Sequence, residues 1–251
     1  MSVKYFLMRC LFFIFACSFS PEKINMGNKT SPESIPIRYV ALGDSYTICE
    51  RASWEESWPV ILTERLSNAG IPIQLVANPS RTGWTTQDLI DKELPIFDAS
   101  SPTFSTLLIG VNDWVQGINA ETFHKNLNYI IDHVLKKIQR TKDEGRGASP
   151  VPSPPSFIPL VLITIPDFSI TPEGPKYSKG RNIAEGLQEF NQIIKDEAKK
   201  RNLKCVDIFP VSLEMKGKAE LVAADGLHPS AKEYAIWEKL IYPVVYEALR
   251  P

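Results

Sequence analysis

Ser45, Asp225 and His228 are the residues whose types and spacing can do nucleophilic chemistry in this chain. Ser45 closes the run Gly43-Asp44-Ser45, directly after the apolar stretch Tyr39-Val40-Ala41-Leu42. Asp225 and His228 stand three residues apart near the other end, in Asp225-Gly226-Leu227-His228-Pro229. A serine hydroxyl is a weak nucleophile at neutral pH. It needs a base to take its proton and a carboxylate to orient that base. His228 is one of three histidines, and Pro229 with the helical pattern after it places it on a loop. His124 and His133 lie in an amphipathic helical stretch without nucleophilic neighbours and read as surface or packing residues. A serine after a strand is also a common helix cap, so Ser45 alone would decide nothing.

Acyl transfer also needs donors aimed at a developing oxyanion. Gly83 follows the apolar run Ile73–Ala77, within Arg81-Thr82-Gly83-Trp84. Asn112 follows Thr106–Leu108, within Gly110-Val111-Asn112-Asp113. A glycine lets its backbone N–H approach closely, and an asparagine amide is a second donor. Asp44 and Asp113 read as carboxylates that brace their loops by accepting backbone N–H bonds. Trp84 and Trp114 flank these donors and are candidates for lining a substrate pocket. Trp54, Trp58 and Trp237 lie in or near helical patterns and read as core.

Taken together, Gly43-Asp44-Ser45, Gly83, Gly110-Val111-Asn112-Asp113 and Asp225-Gly226-Leu227-His228 resemble, in order, the four blocks of the SGNH hydrolases, or GDSL esterases. The resemblance spans about Arg38 to Ala248. Ile165-Pro166-Asp167 resembles a segment that closes the fourth strand in similar members, and Ser80–Thr86 combined with Asp225–Ser230 looks most like the bacterial lysophospholipase-like branch. It implies a serine esterase without metal or cofactor, with Ser45, His228 and Asp225 as triad and Ser45, Gly83 and Asn112 as oxyanion donors. The substrate class it implies is a small acyl ester. A glycan O-deacetylase would use the same site. A binding protein that kept the fold without turnover is the rival of another class, and it would not need all five positions filled. A metal-dependent phosphatase built on Asp44, Asn112, Asp225 and His228 would need further ligands of the usual metal-binding types.

Those positions require a scaffold that brings strand ends together. Strand signals fall at 37–42, 73–77, 106–109, 160–165 and 204–208. Helical patterns fall between and after them, at 58–68, 86–94, 120–139, 183–201 and 230–249. This alternation predicts a three-layer α/β/α fold with a flavodoxin-like parallel sheet of about five strands. Ligands in such sheets bind outside the strands' carboxyl ends. Residues 141–156, rich in Pro and Gly, read as a surface insertion. Residues 167–180 follow the fourth strand and read as a wall or lid of the cleft.

The chain has 251 residues, 43% of them apolar, and a formal net charge of −1. That suits one domain, assigned to residues 37–251, and nothing in the charge points to nucleic acid. Residues 1–20 carry Lys4 and Arg9 before a short apolar core, the pattern of an export signal. One reading is cleavage near Ser18 or Ser20. The other, which Ala16-Cys17 favours by resembling a bacterial lipobox, is lipidation of Cys17 and attachment to a cell-envelope membrane. Residues 21–36 read as a polar tether. Cys49 and Cys205 read as free thiols, with pairing in an oxidising compartment as the alternative, and the oligomeric state is left open.

Overall fold

The computed structural model describes residues 35–145 and 158–250. The expected signal segment, Cys17 and nearly all of the tether therefore lie outside the described residues, as does most of the expected insertion. The sheet has five strands: β1 (Ile37–Gly43), β2 (Ile73–Ala77), β3 (Phe104–Leu108), β4 (Leu160–Ile163) and β5 (Lys204–Val206). All pairs are parallel, and the spatial order is β2-β1-β3-β4-β5. The expected three-layer α/β/α architecture is the observed one. β3 is buried along its whole length, and β1 from Tyr39 onward. Such central parallel strands are covered on both faces, so they read as continuous apolar runs.

The chain passes from β1 through α1 (Ser45–Ile48) and α2 (Trp58–Asn68) to β2. It then enters a helical stretch made of α3 (Thr86–Asp88), a π-helical turn (Leu89–Glu93) and α4 (Leu94–Ala99). This runs past the expected 86–94. Pro95, in the first turn of α4, lacks an N–H and would clash with the carbonyl of residue 91 in a regular α-helix. The wider π turn lies just ahead of it. After β3 come α5 (Val111–Gln116) and α6 (Ala120–Gly145). α6 continues past the expected Gln139 because Arg140, Thr141 and Lys142 contain no breaker. After β4 and β5 come α7 (Ile183–Lys200), α8 (Phe209–Ser212) and α9 (Ala231–Leu249), with α7 joining the two strands.

α2 packs against α9, and α6 against α7. Phe123 of α6 and Phe190 of α7 stack with ring centroids 4.2 Å apart. Within the sheet, Tyr39 and Thr106 share a buried hydroxyl hydrogen bond of 2.7 Å. Trp58 and Trp237 are buried as expected, but Trp54 is exposed. It sits in the turn ahead of α2, outside the buried face of that helix. Cys49 and Cys205 are both free. No helix among the described residues is long and apolar enough to cross a membrane.

The strand order reverses at β1, which β2 and β3 flank on opposite sides. In open parallel sheets ligands bind in the crevice outside the strands' carboxyl ends at such a switch point. Register pairs Gly43 of β1 with Leu108 of β3, so the segments beginning at Asp44 and Ile109 leave the sheet side by side.

Candidate active site

Ser45 is the first residue of α1, one step beyond the tight turn that ends β1. Gly43 is required there: a Cβ would lie 2.2 Å from both the Leu108 carbonyl oxygen and the Thr47 hydroxyl. Asp44 caps the turn, its Oδ1 accepting the Tyr46 N–H at 3.0 Å. The Gly43 N–H donates to Glu93 Oε2 at 3.1 Å, so the π-helical turn carries a buried carboxylate to the base of the serine turn. Burial pushes the Asp44 pKa up to about 8, against the lowering effect of the Tyr46 N–H. Glu93 is raised well above the usual range, again chiefly by burial.

The Asp225–His228 loop is built locally. Asp225 Oδ1 accepts the N–H groups of Leu227 and His228, each at 3.0 Å. Asp225 Oδ2 faces His228 Nδ1 at 2.8 Å. Gly226 takes a positive φ of 71° to make the turn, which a side chain would oppose. Burial would raise the Asp225 pKa. The hydrogen bonds from the His228 ring and from the Leu227 and His228 N–H groups outweigh it and hold the carboxyl well below its ordinary range. Asp225 therefore stays ionised wherever the ring could act as a base. With Nδ1 engaged by the carboxylate, Nε2 is the ring nitrogen left to face a substrate.

Ser45 and His228 line one cavity of about 60 Å³ together with Tyr46, Val111, Asn112, Val115, Phe168, Tyr177 and Leu227. The chain therefore brings Ser45, Asn112 and His228 to one cleft from its two ends and its middle. The Tyr46 and His228 rings meet edge-on, with centroids 6.1 Å apart.

The Gly83 loop is stitched to α5. Asn112 Nδ2 donates to the Trp84 carbonyl at 2.9 Å, and Gln116 Nε2 donates to the Gly83 carbonyl at 3.4 Å. Asp113 accepts the Thr86 N–H at 2.8 Å and its hydroxyl at 2.5 Å. Burial lifts the Asp113 pKa to about 6, although the Thr86 bonds oppose it. Asp44 and Asp113 thus brace loops, the role their positions suggested. Gly83 is exposed with φ of 83°.

The two flanking tryptophans stand apart from the cavity wall. Trp84 is half-buried, with Lys92 Nζ 5.3 Å from its ring centroid. Trp114 is buried behind Phe168, at 6.3 Å between ring centroids, under the Arg181 guanidinium at 3.9 Å. Gly186 leaves room for it: a Cβ there would come within 1.8 Å of Trp114 Nε1. The aromatic wall is instead Phe168 and Tyr177, which meet edge-on at 6.3 Å. Both lie on the 167–180 loop expected to wall the cleft, but no local pattern singled out the two residues. His124 pairs with Glu197 and His133 with Asp98; neither lines the cavity.

The sequence model of the GDSL-like lipase/acylhydrolase family matches residues 41–236. No curated protein matches the chain in sequence. Solved structures do match in fold. The psychrotrophic esterase EstA from Pseudoalteromonas sp., solved inhibited by monoethylphosphonate, has a TM-score of 0.58 at 20% identity, covering 85% of this chain and 99% of that one. The lipase/acylhydrolase from Enterococcus faecalis has 0.58 at 21%, covering 86% and 98%. The family 3 carbohydrate esterase of Clostridium thermocellum has 0.60 at 18%, covering 86% and 98%.

Proposed function

Because the chain belongs to the GDSL-like lipase/acylhydrolase family, an ester-bond hydrolase family, we propose that it hydrolyses esters of short carboxylic acids through a Ser45-His228-Asp225 triad. The observation that carries this reading is the convergence of Ser45, Asn112 and His228 on one small cavity, with Asp225 bonded to the far nitrogen of the imidazole.

In the proposed mechanism Ser45 Oγ attacks the acyl carbonyl carbon while His228 Nε2 takes the hydroxyl proton. The carbonyl oxygen becomes an oxyanion, met by the N–H groups of Ser45 and Gly83 and by the Asn112 amide. His228 then gives its proton to the alcohol, which leaves as the ester C–O bond breaks. Water repeats the sequence on the acyl-enzyme and releases the acid. Asp225, ionised throughout, holds the ring's tautomer and favours the imidazolium as it forms. No metal or cofactor enters these steps.

The cavity volume and its apolar wall of Val111, Val115, Phe168, Tyr177 and Leu227 support an acyl group of a few carbons. An acetyl group on a sugar would use the same site, and the fold shared with carbohydrate esterases keeps that leaving group in view. The test is a panel on the purified protein: aryl esters of graded acyl length, acetylated sugars and a lysophospholipid. Acetate and propionate esters should give the highest kcat/KM. A preference for long acyl chains would overturn the assignment of acyl size. Export, with a lipid on Cys17 and a site of action in the cell envelope, is proposed from the sequence of residues 1–20 alone.

A further inference from the structure

Two residues in the turn between α1 and α2, Glu50 and Arg51, are not used by this mechanism, yet they touch every loop that supplies it except that of Asn112. The Glu50 N–H donates to the carbonyl oxygen of Ser45 itself, at 2.9 Å. Glu50 Oε2 accepts the Thr82 hydroxyl at 2.6 Å, one residue before Gly83. Arg51 Nε donates to Asp225 Oδ2 at 3.1 Å, the same oxygen that holds His228 Nδ1. The Glu50 carboxylate and the Arg51 guanidinium lie 3.6 Å apart, which links the two contacts.

The backbone reinforces this reading. Arg51 has φ of 73° and Cys49 φ of 59°, a region that side chains oppose and that persists only where the surroundings enforce it. Here the Ala52 N–H bonds to the Cys49 carbonyl at 2.9 Å, and the Tyr234 hydroxyl donates to the Glu50 carbonyl at 3.4 Å. The conformation turns consecutive side chains toward different loops.

We propose that Glu50 and Arg51 form a clasp that positions the triad and the oxyanion donors relative to each other: Arg51 holds Asp225, and Glu50 holds the Gly83 loop. The proposal rests on the triad reading above. It makes both positioning residues, since they act through Asp225 and Thr82 and not on the substrate. Asp225 Oδ2 then has two partners, and the base feels two opposite effects. The carboxylate favours the imidazolium, while the Arg51 charge, on the same oxygen, opposes it.

The groups that face the ring are few. Asp225 is on its own loop. Tyr46 comes from α1, with Asp44 and Asp167 acting electrostatically on Tyr46, and Tyr177 of the loop after β4 shares the cavity with the ring. Glu173 lies against Gly226. Glu50 and Arg51 approach through Asp225. Burial raises Asp44, but none of the variants below touches it.

The experiment compares wild type, Arg51→Gln, Arg51→Lys and Thr82→Val in the pH dependence of kcat/KM. The Arg51 side chain is 57% exposed, so replacing it leaves the core untouched. As a surface contact it should be worth about two- to fivefold in kcat, with KM nearly constant. Both cations sit on one oxygen, within about 6 Å of each other, so in water-like surroundings losing one moves the acidic inflection up by about half a pH unit. Arg51→Lys should keep the wild-type inflection. Thr82→Val should lower kcat by a similar factor without moving the inflection. An Arg51→Gln profile that stays put or moves to lower pH would overturn the clasp, as would a Thr82→Val variant with full kcat. Labelling of Ser45 by a phosphonate in the same samples separates this from failure of the triad. Labelled protein with an unmoved inflection sinks the clasp alone, whereas wild type that does not label sinks the reading beneath it.

Discussion

Replacing Asn112 by alanine should cost far more in turnover than in stability, and the structure sets both magnitudes. The side-chain amide carries two hydrogens. One donates to the Trp84 carbonyl at 2.9 Å. The residue also lines the cavity shared by Ser45 and His228, which leaves the second for an oxyanion. Losing one preorganised donor of this kind costs about 2.7–4 kcal/mol of transition-state stabilisation, or roughly a hundred- to a thousandfold in kcat. Losing the Trp84 contact leaves a backbone carbonyl without that partner and costs about 1 kcal/mol, a fall in Tm of about 2–4 °C. KM should hardly change, because the oxyanion exists only beyond the ground state. Steady-state kinetics on an aryl acetate, beside a melting curve, measures both. Asn112→Asp keeps the shape, removes both donors and adds a negative charge, so it should be slower still. A rise in KM with kcat preserved, or a kcat within tenfold of wild type, would refute the oxyanion role.

Further outcomes follow from the same geometry. Asp225→Asn should lower kcat/KM and move its acidic inflection to lower pH, opposite in sign to Arg51→Gln, because the carboxylate that favours the imidazolium is gone; an inflection above that of wild type would contradict the assignment of base and orienter. Glu93→Gln should raise Tm at alkaline pH. The Glu93 pKa is raised in the fold by burial, so its contribution is fully present below the unfolded value, about 4.3, and is lost as pH rises through the folded one. Asp113 and Asp44, raised to about 6 and about 8, act in the same direction. The wild-type Tm should therefore fall between about pH 4 and 8, and the gap to Glu93→Gln should widen across that window; melting curves that track each other would refute the account of Glu93. Expressed in a bacterial host, the chain should partition into detergent with a lipid on Cys17. Mass spectrometry of a soluble product starting at Ser18 or later would defeat lipidation, and an intact Met1 in the cytoplasm would defeat export as well.

Ser45, Asn112 and His228 share one cavity, and their positions were legible because the signals are local. Ser45, Gly83 and Asn112 each follow an apolar run, and parallel β-α alternation puts such positions at one end of the sheet. Asp225 and His228 are close in sequence, so their contact needs no knowledge of the fold. The wall was harder to read. Phe168 and Tyr177 line the cavity, while Trp114, two residues beyond Asn112 on the same short helix, turns away behind Phe168. Adjacency along a helix does not set which face a side chain takes. Arg51 and Asp225 are separated by most of the domain, and only the left-handed backbone at Cys49 and Arg51 aims the guanidinium at the acid. The π-helical turn that delivers Glu93 to Gly43 has no propensity signature apart from Pro95 just after it.

The central claim is that Ser45 is the nucleophile, and active-site labelling tests it most directly. The purified protein, treated with an aryl alkylphosphonate, should gain one adduct per chain, and peptide mass spectrometry should place it on Ser45. Ser45→Ala should melt like wild type, take up no label and hydrolyse no ester. An adduct on another residue, or ester hydrolysis by Ser45→Ala at the wild-type rate, would contradict the account.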